Sequence, residues 1–363
     1  MPFQLCILFT VFSHNLKTTF NRDIPMKLQP GKIPPDILKN VVFKNLGAKR
    51  SEVTLGPAIG VDGAVLNMGT KDVIVSADPI TGAVERIGWA AININANDIA
   101  TFGVEPAFFF SCILLPPDAD SKIIETISSQ MHQAAKELGI AIVGGHCEVT
   151  PGLTNPLVVG YVMGLTEKGQ YVTAAGAKAG DKLIMTKSAG IEGTAILASD
   201  HEQQLQTVLS QSLIDDAKRF YNQISIVKDA LIAYRTGGVH AMHDPTEGGI
   251  LNGIHEIADA AGLGVQVFEE KIAIEPETAK ICRYYEINPL QLISSGALLI
   301  SADPQTATKI IQDLTDQHIY ADIIGEFLPN ANKRLLIKSD NSAEDLPRPT
   351  SDHLWTALSH KKP

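Results

Sequence analysis

Residues 76–103 read SADPITGAVERIGWAAININANDIATFG. Asp78 follows an apolar, strand-like run over 72–77, and Pro79 with Gly82 signals a turn. A helical stretch comes next. Its apolar positions, Ile87, Trp89, Ala90, Ile92, Ile94, Ile99 and Phe102, almost encircle it, so the helix is expected to be buried on most sides. Gly103 stops it. Yet the same stretch carries Asn93, Asn95, Asn97 and Asp98, and Asp98 shares a face with Ala91 and Ile94. A carboxylate there is costly unless it is paired, hydrogen-bonded or bound to a cation. A cap or an ion pair would account for either aspartate alone. Asp78 and Asp98 together, flanking one buried helix, point to a cation site.

Upstream, residues 35–46 read as a helix after a lead-in loop, and the glycine-rich GPAIGVDGA (56–64) enters a hairpin of 64–68 with 72–77. Asp62 stands at its entrance, where a turn residue is the plain explanation. Downstream, PAFFFSCILL (106–115) suits a fully buried strand and 121–138 an amphipathic helix closed by Gly139. A short buried strand over 140–143 runs into Gly144, Gly145, His146, Cys147 and Glu148, glycines that let a ligand approach the backbone. Another strand is expected at 157–165.

A boundary falls in 168–180. Strand 182–186 then leads through Ser188, Ala189, Gly190, Ile191, Glu192 and Gly193 into a helix, an order that places free N–H groups at a helix start. The Walker signature is absent, and a tight connection would also use these glycines. Helices follow over 203–235. A short strand at 239–242 runs into HDPTEGG (243–249), then a helix at 250–261. Strands at 265–268, within 292–301, at 321–327 and at 334–338 alternate with helices at 275–285 and 306–317. Residues 341–363 read as a loose tail around a short helix at 352–358. Without strict alternation of strand and helix, the class is α+β in two halves.

A formal net charge of −10, with no basic run longer than a pair, argues against nonspecific nucleic-acid binding. No stretch approaches the length of a membrane span. Cys6, Cys112, Cys147 and Cys282 are far apart and form no CxxC pair, which fits buried thiols in a reducing, cytoplasmic setting. Residues 1–25 are expected to be an extension outside the fold.

In order, GPAIGVDGAV, ADP, NDIATFGVEPAFFF, GGHCEVTPG, HDPTEGGI and SSGALLI resemble the aminoimidazole-ribonucleotide-synthase (AIR synthase, PurM-like) superfamily over residues 32–337. DPTEGG is most similar to its HypE branch. The resemblance implies an N-terminal ATP-binding domain (26–170) that pairs with its twin into a β-barrel-like homodimer, and a C-terminal α+β domain (176–340). It implies ATP with Mg2+ as cofactors, held in the N-domain cleft. Carried over by position, Asp62, Asp78 and Asp98 would hold magnesium, with Asp78 and Asp98 serving catalysis. Asn97, Gly144, Gly145, His146, Gly190, Gly193, Asp244, Gly248 and Gly249 would contact the nucleotide.

The implied activity is phosphorylation of an oxygen on a small-molecule or carrier-protein acceptor, by amide activation or as a kinase of the thiamine-monophosphate-kinase kind. Three carboxylates on hard cations would supply the charge neutralisation that phosphoryl transfer needs. No cysteine follows Cys282, so a C-terminal carrier thiol is not expected. A second reading is a nucleotide-binding maturation partner without turnover. A third, ranked last, gathers His146, His240, His243 and Asp244 as a transition-metal hydrolase site. Cys147 is expected to be a small buried thiol rather than a nucleophile.

Overall fold

The computed structural model describes Leu28 and residues 31–81 and 84–359; the extension expected at 1–25 lies outside the described residues. The described residues from Gly31 onward form one compact unit.

The first half begins with α1 (Pro35–Asn40), shorter than expected because a 3-10 turn at Val42–Lys44 takes over its end. A six-stranded sheet follows: β1 (Val53–Leu55), β2 (Ala64–Asn67), β3 (Lys71–Ile80), β4 (Pro106–Leu115), β5 (Ala141–Val149) and β6 (Leu157–Glu167). Its order is β1-β2-β3-β6-β4-β5. The pairings are antiparallel except β4 with β5, which the crossover helix α3 (Ser121–Leu138) joins in parallel. Asp120 caps α3 by accepting from Lys122 N and Ile123 N, and Gly139 closes it in the left-handed conformation.

The anticipated central helix is α2 (Ile87–Ala100), buried along nearly its whole length. It packs on α3 and on β3 and β6. Burying its isoleucines contributes roughly 1.5–3 kcal/mol each, and that gain offsets the cost of holding polar side chains in the same helix.

With α2 and α3 on one face, the other face of this sheet stays open. Phe108, Tyr161 and Leu165 are exposed there, and a hollow of about 810 Å³ is lined by Val75, Phe110, Cys112, His146, Tyr161 and Met163, among others. Strand β5 corrects one expectation. It is longer than the run 140–143 and exposed throughout, because it is a sheet edge. Cys147 is accordingly exposed rather than buried, and Cys112 is half-buried; Cys282 is buried as expected.

The second half holds a seven-stranded sheet of β7 (Lys182–Thr186), β8 (Val239–His243), β9 (Gly264–Phe268), β10 (Leu299–Ala302), β11 (Ala321–Leu328), β12 (Arg334–Ile337) and β13 (Ala343–Asp345). Its order is β13-β12-β9-β11-β7-β10-β8, and only β9 with β12 pairs in parallel. The helices are α4 (Ile191–Asp200), α5 (Glu202–Leu205), α6 (Gln211–Lys218), α7 (Val227–Thr236), α8 (Gly249–Ala261), α9 (Pro276–Tyr285), α10 (Ala307–Thr315) and α11 (His353–Leu358). The fold is the expected α+β in two halves.

The tail is not loose over its described residues, 341–359. Strand β13 extends the sheet, and Asp352 is buried, accepting from Gly248 N at 2.6 Å and Leu354 N at 2.6 Å. Among the described residues, no helix is long and apolar enough to cross a membrane.

Candidate metal and nucleotide site

The two halves meet at a cluster of acids. Asp62 precedes β2, Asp78 lies on β3, Asp98 is in the last turn of α2, and Asp244 directly follows β8. The loop bearing Asp62 rests on α8. Gly60 has φ +74°, and an added Cβ would stand 2.6 Å from the Glu256 carbonyl oxygen, so only glycine permits this approach.

His243 joins the halves. Its Nδ1 is 2.8 Å from Asp62 Oδ1 and its Nε2 is 2.8 Å from Glu256 Oε2. Both ring nitrogens therefore face carboxylates, an arrangement suited to an imidazolium that donates twice. One ligand atom from each of Asp62, His243 and Asp244 lies within 4.8 Å of the other two. Asp244 is 2% exposed, and its buried Oδ2 has no hydrogen-bond partner.

Ser76 ties Asp98 to the same place. Its Oγ is 2.7 Å from the Asp62 carbonyl oxygen and 2.7 Å from Asp98 Oδ2. One hydroxyl proton serves one of these contacts, so a proton on Asp98 would serve the other.

The acids bear on one another electrostatically. Burial pushes Asp98 well above the usual carboxylate range, and Asp78, Asp244 and Asp62 add to the effect. Burial likewise raises Asp244, with Asp62 and Asp78 raising it further against His243 and Lys32. Asp78 is pushed up to about 6 by burial, which Lys32 opposes while Asp62 and Glu247 reinforce it. Glu256 is the exception. Burial pushes it up, but Lys32 and His243 outweigh burial and hold it at about 2. Lys32 reaches in from the first loop: its N–H donates to Glu247 Oε2 at 2.7 Å, and its Nζ lies 3.6 Å from Glu256 Oε1.

Carboxylates that raise one another lack counter-charge. With both nitrogens of His243 turned to carboxylates, the groups left to bind are carboxylate oxygens, one of them buried and orphaned, and these suit a hard divalent cation. The residues present fit magnesium on that ground.

Asp62, Asp78, Asp98 and Asp244 thus come together. Asn97 does not join them. It is fully buried; its Nδ2 donates to the Ile224 carbonyl at 2.9 Å and its Oδ1 accepts from Ile226 N at 2.9 Å. Both ends of its amide are spent fixing α2 to the segment before α7, so its expected nucleotide contact is corrected to a structural one.

The neighbour two positions earlier was missed. Asn95 Oδ1 accepts from Asp78 N at 2.9 Å and its Nδ2 donates to the Asp78 carbonyl at 3.2 Å, clamping that backbone in place.

Gly145 and His146 line the hollow on the open sheet face, with Gly144 beside them on β5. The hollow shares Ser76 with the acid cluster. Gly145 is demanded by packing, since a Cβ would lie 2.1 Å from the Ser111 carbonyl oxygen. His146 contacts Glu148 Oε2 at 3.0 Å.

Gly190 and Gly193 stand at the start of α4, where Gly190 N donates to Ser294 Oγ and Gly193 N to the Ile293 carbonyl. At the start of α8, Gly249 N donates to the Thr246 carbonyl, and Gly248 N is taken by Asp352, a residue the sequence reading left in the tail. These amides of Gly190, Gly193, Gly248 and Gly249 already have acceptors, so the structure does not leave them open for phosphate.

The histidine-based site is not assembled. His240 bonds Asp181 and Lys178 at the far end of β8 from His243, and His146 lies on β5.

The AIR synthase related protein N-terminal domain model matches residues 60–166, and the C-terminal domain model matches 178–338. A putative hydrogenase expression/formation protein of Methanocaldococcus jannaschii is 25% identical over 316 residues, covering 85% of this chain and 91% of that protein. The carbamoyl dehydratase HypE of Rhizobium leguminosarum bv. viciae is 27% identical over 258 residues, 70% of each chain. Among solved structures, hydrogenase maturation protein HypE in complex with ATP superposes with a TM-score of 0.68 at 20% identity, covering 90% of this chain and 97% of that one. With both domain models matched in order over most of its length, and with curated relatives that include HypE, the chain belongs to the AIR synthase related protein family, on its HypE-like side.

Proposed function

We propose that the protein is a Mg-ATP-dependent enzyme that phosphorylates an oxygen of a small-molecule or carrier-bound acceptor, in the manner of a HypE-like amide-activating enzyme. The convergence of Asp62, Asp78, Asp98 and Asp244, with Asp244 Oδ2 buried and unpartnered, is the observation that carries the reading. Asp62, Asp78, Asp98 and Asp244 would hold the cations. Bound magnesium would neutralise triphosphate charge and orient the terminal phosphoryl group.

The chain's own residues do the rest. The imidazolium of His243, fixed between Asp62 and Glu256, aims the Asp62 carboxylate and offsets part of the acidic charge. Asn95 fixes the backbone of Asp78, and Ser76 orients Asp98. Lys32 brings a second cation to the rim, where it can meet a phosphate oxygen.

A second copy of the chain would cover the open face of the first sheet. Its exposed Phe108, Tyr161 and Leu165 are apolar, and the resemblance implies twin pairing there. Light scattering should return a dimer mass that Tyr161→Arg reduces to a monomer.

Calorimetry with ATP tests the site itself. Binding is expected with Mg2+ and not with EDTA, and Asp244→Asn should weaken it at least about tenfold, or ~1.4 kcal/mol. Equal affinity in EDTA and Mg2+ would refute the reading. ADP release on adding an acceptor separates an enzyme from a maturation partner that binds without turnover.

A further inference from the structure

Lys187 directly follows β7 and turns its ammonium into the protein; the side chain is 14% exposed. Nζ lies 3.0 Å from the Gln223 carbonyl oxygen, 2.8 Å from that of Ser225, 2.9 Å from that of Gly296 and 3.0 Å from Asp229 Oδ1. Asp229 is buried, and its Oδ1 also accepts from Thr186 Oγ1 at 3.0 Å. A lysine has three N–H groups. Four oxygens around one nitrogen therefore describe a cage for a compact positive charge rather than a set of paired hydrogen bonds. Carbonyl oxygens with a carboxylate are the donors that replace the hydration shell of a bare alkali cation.

The backbone is shaped to close this cage. Lys187 has φ +55°, a conformation that residues other than glycine seldom adopt. Glycine would relieve it, so the position holds lysine for its side chain. Gly296, at φ +108°, lets its turn press so near that an added Cβ would stand 2.8 Å from the Gln223 carbonyl oxygen. Oxygens from residues 223–225, the turn at 296 and α7 thus converge, and their partial negative charges repel one another unless a cation lies between them. The same segment grips α2. The carbonyls of Gln223 and Ser225 face the ammonium, while the Ile224 carbonyl between them accepts from Asn97 Nδ2 and Ile226 N donates to Asn97 Oδ1. The next residue of α2 is Asp98, a member of the acid cluster.

We propose that the Lys187 ammonium is a tethered monovalent cation: it fills a site of the size that suits NH4+ or K+, and through residues 223–226 and Asn97 it holds α2 in place at the acid cluster. The effect on magnesium rests on the Mg-ATP reading given above; the occupancy of the cage does not. Lys187 is not among the residues proposed to hold metal or nucleotide, so its role is that of a positioning residue. Removing the ammonium leaves four oxygens facing one another, and a free monovalent cation should enter in its place. NH4+ and K+ resemble the lysine ammonium in size. Na+ is smaller and calls for shorter contacts than this cage offers.

The test uses the full chain, wild type and Lys187→Ala, in KCl, NH4Cl, NaCl or choline chloride at equal ionic strength, read by urea unfolding and by Mg2+ calorimetry. In NaCl or choline chloride, Lys187→Ala should unfold at least about 1 M urea earlier than wild type and bind Mg2+ about fivefold more weakly. K+ or NH4+ should restore most of each loss, while wild type responds alike to all four salts. Asn97→Ala should weaken Mg2+ binding without rescue by K+, and the double variant should bind Mg2+ no more weakly than Asn97→Ala alone, because both residues act through one segment. If Lys187→Ala fails to fold in NaCl, refolding yield takes the place of the urea midpoint, and a yield that K+ or NH4+ raises supports the cage. Losses that K+ and NH4+ restore no better than Na+, or a Lys187→Ala protein indistinguishable from wild type, would overturn the proposal; additive losses in the double variant would overturn the route through Asn97. If wild type binds no Mg2+, the Mg-ATP reading fails, and rescue of stability by K+ still decides the cage.

Discussion

Asp78→Asn should make the metal-free protein more stable and the metal-bound protein less able to form. The substitution keeps shape, and the structural duty of residue 78 lies in its backbone, which Asn95 holds by its N–H and carbonyl. The side chain is charged at a cost: burial, with Asp62 and Glu247 against Lys32, moves its pKa from 3.8 to about 6. About two units at roughly 1.4 kcal/mol per unit give ~3 kcal/mol. The sign follows from which form the fold disfavours. The folded state resists ionisation, so wild type carries no penalty below the unfolded value of 3.8 and the full penalty above about 6. In EDTA the variant should therefore gain up to ~3 kcal/mol over wild type at pH 7.5, and the gain should shrink as pH falls from about 6 toward 4. Denaturant unfolding at several pH values measures this. Added Mg2+ should then stabilise wild type and leave the variant nearly unmoved. A variant that is no more stable than wild type in EDTA at pH 7.5, or that Mg2+ stabilises as much, would refute the placement of Asp78 among competing carboxylates.

The remaining expectations concern other parts of the site and its supports. Gly160→Ala should disturb the site without touching any ligand, because a Cβ there would lie 2.3 Å from Asn95 Nδ2; a loss of roughly 1–3 kcal/mol in denaturant unfolding and weakened Mg2+ binding check it. Asp352→Ala leaves Gly248 N and Leu354 N without their acceptor, so about 1–2 kcal/mol of stability should go and limited proteolysis should reach the segment around α11. His255, on α8 directly before Glu256, supplies a second pH effect of opposite origin. Burial, then Arg348 and Arg334, lowers its pKa from 6.5 to about 4, so its neutral form is required in the fold; stability is whole above about 6.5 and falls by ~3 kcal/mol as pH drops to about 4, a loss that His255→Gln should abolish.

How far the sequence discloses this site depends on the distance over which its parts interact. Helix α2 was legible because its own residues carry the signal: apolar on nearly every side, with one carboxylate that solvent does not reach. Strands β4 and β7 and helix α3 were legible for similar local reasons. Choosing Asn97 over Asn95 was not a local matter. Two positions apart on a helix, the side chains point about 200° away from each other, and only the placement of β3 and of residues 224–226 decides which amide meets Asp78. The exposure of β5 depended on its being a sheet edge, which no property of GGHC states. The pairing of His243 with Asp62 spans 181 residues and that of Asp352 with Gly248 spans 104. A histidine before DPTEGG and an aspartate in a proline-containing tail look like ordinary polar residues until the fold brings their partners to them.

The charge balance of the site also dictates an order of events. Asp62, Asp78, Asp244, Glu247 and Glu256 face the cations Lys32 and His243, while Asp98 meets only other acids and Ser76. His243 is committed to Asp62 and Glu256, which leaves Lys32 as the cation nearest to solvent. A free triphosphate approaching this surface meets carboxylates that already raise one another, and without water to screen them the repulsion grows. Protonation of Asp98 and Asp244 eases their mutual repulsion but removes the negative charge that would hold a metal. Divalent cations resolve both conflicts, since they restore the carboxylates to their ionised form and reverse the sign that the nucleotide sees. Metal binding should accordingly release protons near neutral pH, and nucleotide binding should follow metal with no measurable metal-free branch. Calorimetry in buffers of different ionisation enthalpy reads the released protons directly. Metal uptake without proton release would mean that the carboxylates are already ionised and separately neutralised, and the physical case for a shared cation site would be lost.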